Sequence, residues 1–545
     1  MTRLNRFILL FLAIGGIAAA QAPLPVPARV ATGFNAIRED VLRADLTFLA
    51  SPALDGRMSL QKGDTVALEW VASEFAKAGL KPAAEGGFLQ SVPLVEFQPD
   101  RAESSLALDR AGQHKPWAFP HISGGFKDDV DVTAPLLFAG YGITAPELGY
   151  DDYATLDAKG KIVLVFDHEP QEADASSIFN GTGNTRYATA RVKVLNAQAH
   201  GAVAVLMVSE PNRQHPSAQE LGPKIGGSAL RPGGRALQSL DENDIRISSV
   251  VISDVVAQEL LATAGATPSA LQAAIDQKLQ PQSRPLANTV VTVHLRNSMR
   301  RRGISYNVCG LLEGSDPQLA PETILISGHH DHEGAFGGPE TYPGADDNGS
   351  GTVGVVALAH AFARNETRPK RSILFTVFTA EERGLLGAFW MAAHPLRPLA
   401  TTRAMINFDM IGRNEEETAQ TRGVLEVPAD TTNRLNLIGA FYSPDYDALV
   451  AAENRQVGLV LDHRFDHEAA LNIFFRSDQF PFVLKNIPAF WWFTGFHPDY
   501  HHVTDTAEKI NYVKMAKILK LAYLSAWRFG DDPTTPRFVE SPRGH

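Results

Sequence analysis

The sequence predicts an α/β protein: a mixed, mainly parallel sheet covered by helices, into which a second, β-rich unit is inserted. The chain has 545 residues, which is too long for one ordinary domain. From about residue 300 onward, strand-like and helix-like segments alternate, as they do in a parallel sheet with helical connections. Residues 115–285 show instead short apolar runs separated by turns and glycines, which indicates a separate module.

Composition and charge are those of a globular protein without nucleic-acid partners. Hydrophobic residues make up 44% of the chain and charged residues 20%. The 50 basic and 61 acidic residues give a formal net charge of −11. The one basic run, Arg300-Arg301-Arg302, is interpreted as a solvated connector. The single Cys309 excludes an internal disulfide and cysteine-based zinc or nucleophile sites.

The N-terminus has the pattern of an export signal. Arg3 and Arg6 precede an apolar stretch at residues 7–20, which ends in three alanines that offer a cleavage site. The stretch is short for a bilayer core of about 30 Å, and no later segment is apolar enough to span one. We therefore expect a periplasmic or extracellular protein with no integral membrane span after signal removal. A short anchoring helix is the alternative.

The predicted units are, in order, residues 1–20 (signal peptide), 21–34 (Pro-rich tether), 35–114 (N-terminal part of the main domain), 115–285 (inserted module), 286–535 (larger part of the main domain) and 536–545 (tail). Within the module, strands are predicted at residues 136–142, 161–166 and 202–208, and a helix at residues 188–200. None of these segments is expected to end in a cluster of potential ligands. We therefore expect this region to be a binding module or a covering module.

In the main domain, the candidate ligands follow the predicted strands directly. These strands are at residues 323–327, 372–378, 404–408 and 489–493. The predicted helices are at residues 66–76 (capped by Asp64 and stopped at Gly79), 352–364, 433–441 and 506–528. Open α/β sheets place their functional sites at the carboxyl edge of the strands. The position of the ligands thus agrees with the predicted fold.

Five short segments carry metal-type ligands at that edge: residues 329–332, 344–351, 381–382, 407–409 and 500–501. Each segment alone has an ordinary structural explanation, such as a polar turn, a helix cap or a solvated helix start. Together, several carboxylates and two separate histidines at the ends of apolar runs cost too much desolvation to be scaffold only. A pair of divalent cations would offset that cost.

The spacing suggests individual roles. A ligating His329 needs an acceptor for its second ring nitrogen, and Asp331 can supply one. Asp347 lies in a glycine-rich turn, where one carboxylate can bridge two cations roughly 3.5–4 Å apart. The side chains of adjacent Glu381 and Glu382 diverge, so one can bind metal while the other shuttles protons.

Four neighbouring residues are not expected to touch metal. His330 and His332 alternate with His329 and Asp331, so their side chains are expected to point in another direction than those of the proposed metal-site residues. Asp346 is expected to cap the following helix or to lie at the surface, and His502 is expected to be a bystander.

The chain resembles the co-catalytic di-zinc peptidases of the M28 family, which are related to glutamate carboxypeptidases and glutaminyl cyclases. The matching stretches are GHHDH at 328–332, GADDNGSG at 344–351, AEERGLLG at 380–387, NFDMIG at 407–412 and YHHVTDT at 500–506. The stretches GYGI at 140–143, YDDY at 150–153 and KGKIVLV at 159–165 resemble a protease-associated (PA) domain. That second resemblance rests mainly on glycines and apolar runs.

The resemblance implies a zinc-exopeptidase fold with two Zn²⁺ ions per chain. His329 and Asp409 would complete one zinc site, and Glu382 and His501 the other. Asp347 would bridge them. Three carboxylates offset most of the metal charge, and positions remain open for a water molecule.

The resemblance also implies three catalytic roles. Glu381 would act as general base and acid toward a water activated by two metals. Asp331 would orient His329, and Tyr500 would stand near the developing oxyanion. A cis peptide bond is implied between Asp347 and Asn348.

Two positions depart from the family pattern. Many members have Ser-Asp-His where this chain has Ser477-Asp478-Gln479, and threonine where it has His502. Neither position is expected to bind metal, so the departures bear on substrate preference.

The expected activity is that of an aminopeptidase acting on the N-termini of peptides or proteins. A carboxypeptidase, a glutaminyl cyclase and a non-catalytic binding homologue are the alternatives. A cyclase works with one zinc and does not need the His329-x-Asp331 pair, and a binding homologue loses ligands or the base. A carboxypeptidase needs a cation for the substrate carboxylate, and Arg413 and Arg476 are candidates, with Trp491-Trp492 as further wall candidates. The sequence does not determine the oligomeric state.

Overall fold

The computed structural model describes residues 23–217, 220, 236–335 and 340–539. Strands within these residues form one ten-stranded sheet, one eight-stranded sheet and a two-stranded ribbon. The expected signal peptide lies outside the described residues. In the described part of the chain, every helix is too short or too polar to cross a membrane.

The ten-stranded sheet is the frame of the main unit. With strands numbered along the whole chain, its members are β1 (Lys81–Pro82), β2 (Leu89–Pro99), β11 (Leu237–Leu240), β14 (Asn297–Leu312), β15 (Thr323–His329), β16 (Ser372–Phe378), β17 (Thr402–Phe408), β18 (Arg434–Ile438), β19 (Val460–Asp462) and β20 (Ala489–Phe493). Their spatial order is β11-β2-β14-β16-β15-β17-β20-β18-β19, and β1 pairs beside β14.

The centre of this sheet is parallel. β15 pairs in parallel with β16 and with β17, and β17 pairs in parallel with β20. Outside this centre, β14 runs antiparallel to β16, and β18 runs antiparallel to β20. All residues of β15 and β16 are buried, as expected for strands covered on both faces. The prediction of an α/β fold with a mixed sheet is confirmed.

Helices cover both faces of the main sheet. The helices of the described chain are α1 (Ala28–Ala36), α2 (Glu39–Leu49), α3 (Lys62–Lys77), α4 (Ala190–Ala199), α5 (Asp254–Leu260), α6 (Pro268–Lys278), α7 (Gly351–Ala363), α8 (Leu386–Ala393), α9 (Pro444–Asn454), α10 (Phe480–Val483) and α11 (Tyr512–Asp531). One face packs against α1, α2, α3, α7, α9 and α11, and the other against α8 and α10.

The eight-stranded sheet forms the β-rich unit. Its members are β3 (Ser105–Arg110), β4 (Gln113–Trp117), β5 (Ile122–Ser123), β6 (Val130–Phe138), β9 (Ile162–Phe166), β10 (Ala204–Val208), β12 (Ser248–Ile252) and β13 (Arg284–Leu295), while β7 (Thr144–Ala145) and β8 (Tyr150–Asp151) form the ribbon. The spatial order is β4-β3-β13-β6-β9-β10-β12-β5, with parallel pairing from β6 through β9 and β10 to β12. Helices α4, α5 and α6 belong to this unit, and it has its own apolar core.

Several sequence predictions of elements are corrected. The segment predicted as a helix at 433–441 contains strand β18, because Leu435 and Leu437 are buried within the sheet. The predicted tether is helical from Ala28 onward, and Val30 is buried in the main core. Helix α3 begins before Asp64, which is not its cap. The carboxylate of Asp64 is buried and accepts a hydrogen bond of 2.7 Å from the Ser305 hydroxyl.

A buried arginine ties the N-terminal segment to two loops at the carboxyl edge. The guanidinium of Arg57, which is 1% exposed, donates to four carbonyl oxygens at 2.6–2.8 Å. The acceptors are the carbonyls of Leu49, His330, Pro343 and Gly344. Burial lowers the pKa of Arg57 to about 10, so the group is still charged at neutral pH. One side chain thus fixes the loops that follow β15 and precede α7.

We expect Arg57→Met to lower the free energy of unfolding by more than about 3 kcal/mol, because several buried carbonyls would lose their donor. Arg57→Lys should recover only part of the loss, since an ammonium lacks the planar fork. The matched control is Arg38→Met, since this arginine is exposed and pairs with Asp40 at the surface. The control should change stability by less than about 0.5 kcal/mol. Urea unfolding followed by tryptophan fluorescence measures all three, and an Arg57→Met protein as stable as the control would contradict this role.

Candidate metal centre

The parallel strands at the centre of the main sheet end at the same edge, and they deliver most of the candidate residues there. β15 ends at His329, Glu381 and Glu382 follow β16, Asp409 follows β17, Tyr500 and His501 lie in the loop after β20, and Asp347 lies in the irregular turn before α7. The structure therefore brings together residues that are far apart in sequence. The peptide bond between Asp347 and Asn348 is cis, which confirms the expectation from the resemblance.

A first donor group surrounds the imidazole of His329. Its Nε2 lies 3.6 Å from Oδ1 of Asp347, 3.6 Å from Oδ1 of Asp409 and 3.6 Å from Oε2 of Glu381. This nitrogen is buried and has no hydrogen-bond partner in the described structure. Zinc bonds of about 2.0–2.2 Å place neighbouring tetrahedral donors about 3.3–3.5 Å apart. The observed spacing is thus close to that of a set of metal ligands.

A second donor group surrounds the imidazole of His501. Its Nε2 lies 3.0 Å from Oδ2 of Asp347 and 3.3 Å from Oε2 of Glu382. The carboxylate of Asp347 therefore turns one oxygen toward each histidine. This is the arrangement required of a ligand that bridges two cations. The residues present fit two divalent ions, because imidazole nitrogens and carboxylate oxygens are the donors that such ions take.

The ligand side chains are held by partners behind them. The carboxylate of Asp505 accepts hydrogen bonds from the backbone N–H groups of Asp346 and Asp347, at 2.9 and 3.1 Å. The hydroxyl of Ser477 donates to Oδ2 of Asp409 at 2.6 Å. The hydroxyl of Thr352 donates to the carbonyl of His329 at 2.6 Å. Such contacts fix the direction of a metal ligand.

Asp331 contacts both His329 and the glutamate pair. Its backbone carbonyl lies 3.1 Å from Nδ1 of His329, whereas its carboxylate oxygen is 3.7 Å from that nitrogen. The carboxylate accepts hydrogen bonds from the N–H groups of Glu381 at 3.0 Å and Glu382 at 3.3 Å. The orienting contact expected from the carboxylate thus comes from the main chain, and the carboxylate positions the glutamates instead.

Two of the four expected bystanders lie differently from the prediction. Nδ1 of His332 lies 2.7 Å from Oε1 of Glu382 and 3.8 Å from Oδ2 of Asp347, so this ring faces the second donor group. Asp346 is fully buried, and its Oδ1 accepts a hydrogen bond of 2.6 Å from the N–H of Gly412. A surface position for Asp346 was wrong. Beyond the end of β15 at His329, His330 and His332 contact different groups, so the alternation of an extended strand does not apply there.

His330 points away from both donor groups, as predicted. Its ring lies 3.2 Å from the carboxylate of Asp64 and 3.3 Å from the carbonyl of Tyr306. Burial lowers the pKa of His330 to about 4. It lowers the pKa of His332 to about 4 as well, which keeps that ring neutral and able to act as a lone-pair donor.

Electrostatics at the centre favour a cation. Burial, reinforced by the charge of Glu382, raises the pKa of the Asp347 carboxyl well above its usual range. Burial also raises the pKa of Glu381, and the nearby charge of Asp409 adds to the effect although His329 opposes it. So many carboxylates in one desolvated site repel one another at neutral pH. Divalent cations would relieve that repulsion.

The metal-type residues open into a cavity of about 420 Å³. Asp347, Glu381, Glu382, Asp409 and His501 are on one side of it. The remaining wall is largely apolar, formed by Leu385, Phe389, Met410, Phe475, Phe480, Trp491 and Phe496. Thr189, Ala190 and Arg191, at the start of α4, also line it, so the β-rich unit supplies part of the wall.

Of the four residues proposed for the pocket wall, two line the cavity and two do not. Arg476 lines the cavity, and its Nη2 lies 3.4 Å from the hydroxyl of Tyr500, which also lines it. Trp491 lines the cavity as well, and its indole N–H donates to the carbonyl of Asp409 at 2.9 Å. Arg413 is not among the lining residues and pairs with Asp499 at 3.0 Å. Trp492 is buried in the core.

Sequence reasoning missed three residues close to the centre. Glu333 lies 3.8 Å from Nδ1 of His501 and, with Glu382, forms a third group of converging donors. Asp478 is fully buried, its carboxylate oxygens accept no hydrogen bond in the described structure, and the charges of His329 and Asp409 act on it. His332 is the third. For His332 and Glu333 the sequence signal was the density of acidic and histidine residues at 329–333, and for Asp478 it was the family-like stretch at 477–479; neither shows where a side chain points.

We expect Asp347→Ala to cost both bound ions, because its two oxygens face the two donor groups. The matched comparison is Asp409→Ala. This carboxylate lies beside His329 in the first donor group, so its removal should abolish the binding of one ion. The measurement is zinc per chain by mass spectrometry of protein saturated with zinc and freed of excess. A single ion lost from the Asp347→Ala protein would rule out a bridging role.

Comparison with known proteins agrees with this geometry. Residues 307–525 match the model of peptidase family M28, and residues 132–260 match that of the PA domain. Leucine aminopeptidase 2 of Arthroderma otae is 26% identical over 286 residues, which are 47% of this chain and 52% of that protein. A probable zinc metalloprotease of Pyrenophora teres f. teres is 35% identical over 152 residues, or 25% of this chain and 31% of that protein. The chain thus spans about half or less of the length of these relatives.

A solved structure shares the fold. The aminopeptidase from Aneurinibacillus sp. strain AM-1 superposes on 94% of this chain and 97% of its own, with a TM-score of 0.50 and 19% identity. The M28 match covers the main sheet from the end of β14 to β20, with all of the ligand segments, and the PA match covers part of the β-rich unit ahead of it. Residues 307–525 therefore form a peptidase family M28 domain, and residues 132–260 a PA domain.

Proposed function

We propose that this chain is an exported, zinc-dependent aminopeptidase that hydrolyses N-terminal peptide bonds of peptides or proteins with two zinc ions. The observation that carries the proposal is the placement of Asp347, with one carboxylate oxygen 3.6 Å from Nε2 of His329 and the other 3.0 Å from Nε2 of His501. His329, Asp347 and Asp409 would hold one ion. Asp347, Glu382 and His501 would hold the other.

Zinc held at these residues would supply Lewis-acid polarisation of a peptide carbonyl and would lower the pKa of water. The side chains then move the protons. Glu381 lines the cavity, and burial raises its pKa, so it is suited to accept a proton from the attacking water and to donate it to the leaving amine. The carboxylate of Asp331 accepts the N–H of Glu381 and thereby holds the glutamate in position.

Tyr500 is suited to stabilise charge on the substrate carbonyl oxygen. Burial raises the pKa of its hydroxyl, so the group stays protonated and can donate a hydrogen bond. The guanidinium of Arg476, whose Nη2 lies 3.4 Å from the hydroxyl of Tyr500, adds positive charge at the same place. Both residues line the cavity that contains Glu381.

The shape and lining of the cavity suggest an apolar N-terminal residue. Seven apolar side chains, including Phe475 and Trp491, line a space of about 420 Å³, in the range of small-ligand sites. Burying a leucine-sized side chain there would contribute about 1.5–3 kcal/mol. The name of one relative, a leucine aminopeptidase, supports this substrate class.

A carboxypeptidase is the second candidate, and Arg476 is the observation that favours it. A guanidinium in the pocket can hold a substrate carboxylate in a bidentate contact. Arg413 offers no such contact, because Asp499 holds it. The other candidate cation of the wall, Arg191, stacks 3.7 Å over the ring of Phe389 and also contacts Asp244.

Export is part of the proposal. Its support is the sequence pattern of residues 1–20. A periplasmic or extracellular location would give the enzyme access to peptides outside the cytoplasm.

We expect Glu381→Gln to lower kcat by about 10²–10⁴-fold while zinc content stays unchanged, because the amide cannot accept the proton. Glu426→Gln at an exposed position is the control and should leave kcat unchanged. Steady-state kinetics and metal analysis on the same preparations give both quantities. Unreduced kcat in the Glu381→Gln protein would remove this residue as the base.

The polarity of the enzyme is tested with leucine p-nitroanilide, its N-acetyl derivative, and an N-blocked peptide with a free C-terminal leucine. An aminopeptidase cleaves only the first, loses activity to a chelator and regains it with zinc. Cleavage of the N-blocked peptide, with its KM raised at least tenfold by Arg476→Met, would instead establish the carboxypeptidase. Cleavage of none of the three would overturn both candidates.

A further inference from the structure

Two neighbouring parallel strands of the PA domain end in a second set of metal-type side chains. His168 and Glu172 follow β9, and Glu210 and His215 follow β10. The two strands pair in parallel up to Phe166↔Val208, so both chain segments leave the sheet at the same edge. This corrects the expectation that no strand of the module ends in a cluster of ligands. The four donors are spread over the sequence, and only the fold brings them together.

The four side chains converge on one point. Nε2 of His215 lies 2.8 Å from Oε2 of Glu172 and 2.9 Å from Oε1 of Glu210. Oε1 of Glu172 contacts Nδ1 of His168. One donor atom from each of the four residues lies within 4.8 Å of the others. Two imidazoles and two carboxylates are a complete tetrahedral ligand set for zinc, and the carboxylates balance its charge.

Glu210 is the member that the protein alone does not satisfy. Its side chain is 4% exposed, and neither carboxylate oxygen accepts a hydrogen bond in the described structure. Nε2 of His215 is hydrogen-bonded to Glu172 at 2.8 Å, so Oε1 of Glu210, 2.9 Å from the same nitrogen, shares that group instead of having a donor of its own. A buried carboxylate that shares its donor with a second carboxylate is costly to desolvate, and a bound cation would offset that cost.

The ring of His215 is already oriented as a ligand. Its Nδ1 lies 3.0 Å from the carbonyl of Pro216, which leaves Nε2 to face the carboxylates. A backbone acceptor behind the second nitrogen is the usual support of a metal-bound histidine. Glu172 and Glu210 also line a cavity of about 580 Å³, through which an ion could reach the four donors.

We propose that His168, Glu172, Glu210 and His215 form a third metal site, for a divalent transition metal ion of the zinc type, that is separate from the peptidase centre. The ion would clamp together the chain segments that follow β9 and β10. The carbonyl of His168 accepts a hydrogen bond of 2.6 Å from Nζ of Lys193, which is buried on α4. The first turn of this helix lines the peptidase pocket. The site would therefore stiffen part of the substrate wall.

The test counts zinc in the full chain after stripping with a chelator, reloading and removal of excess. Wild type should hold one ion more per chain than the His168→Gln/His215→Gln variant, and the Asp347→Ala protein should keep this one ion. The control is His114→Gln on the same sheet, since this exposed histidine pairs only with Asp109 and should not change the count. Glu210→Gln preserves shape and should weaken zinc binding at this site at least tenfold, measured by competition with a chromogenic chelator.

Thermal unfolding provides the second readout. Zinc should raise the Tm of the Asp347→Ala protein but not that of the same protein carrying Glu210→Gln. Equal zinc content in wild type and the double histidine variant would overturn the proposal and leave the cluster as an ion-paired network of protonated histidines. If the double variant does not fold, the Glu210→Gln protein provides the test. Unchanged zinc affinity in that protein would also overturn the proposal. Because Glu210→Gln is compared with its parent on the same Asp347→Ala background, the comparison reports on the PA-domain site whether or not that background still holds the peptidase ions.

Discussion

Repulsion among buried carboxylates at one edge of the main sheet is the constraint around which the molecule is built. Asp347, Glu381, Glu382 and Asp409 approach one another where little water can screen them. The surrounding structure holds them there rather than letting them separate. Arg57 fixes two of the loops through four carbonyls, Asp505 holds the backbone of the turn before α7, and Ser477 holds Asp409. Each anchor comes from a different part of the chain, so the geometry of the centre depends on the whole fold.

The strands and the first ligands could be predicted from sequence because each depends on a local pattern. β16 is a mainly apolar run and β20 an entirely apolar one, and their bounds agree with the prediction. His329 is the last residue of β15 and Asp409 directly follows β17, so the fold class alone places them at one edge. The convergence of these residues is the part of the site that the sequence order indicated correctly.

The features that could not be predicted from the sequence depend on contacts between residues far apart in the chain or on the shape of a loop. Arg57 looks like an ordinary surface residue until its four acceptors are known. The alternation of a strand predicts that His332 points away from the donor groups, but in the structure its ring faces Glu382. The segment around Leu435 has helical spacing, and it is a strand because β20 offers an unpaired edge there. In the PA domain, His168 and His215 are separated by a helix and a strand, so only the paired ends of β9 and β10 bring them together.

Assembly of the peptidase centre has an order that follows from Asp505. This residue, which holds the main chain of Asp346 and Asp347, lies near the end of the chain, beyond the last ligand His501 and just ahead of α11. A ribosome that has made the first ligands has therefore not yet made the group that fixes the bridging carboxylate. The turn that carries Asp347 therefore gains this support only once the segment that contains Asp505 has docked. A late anchor of this kind makes the geometry of the two donor groups a property of the completed fold.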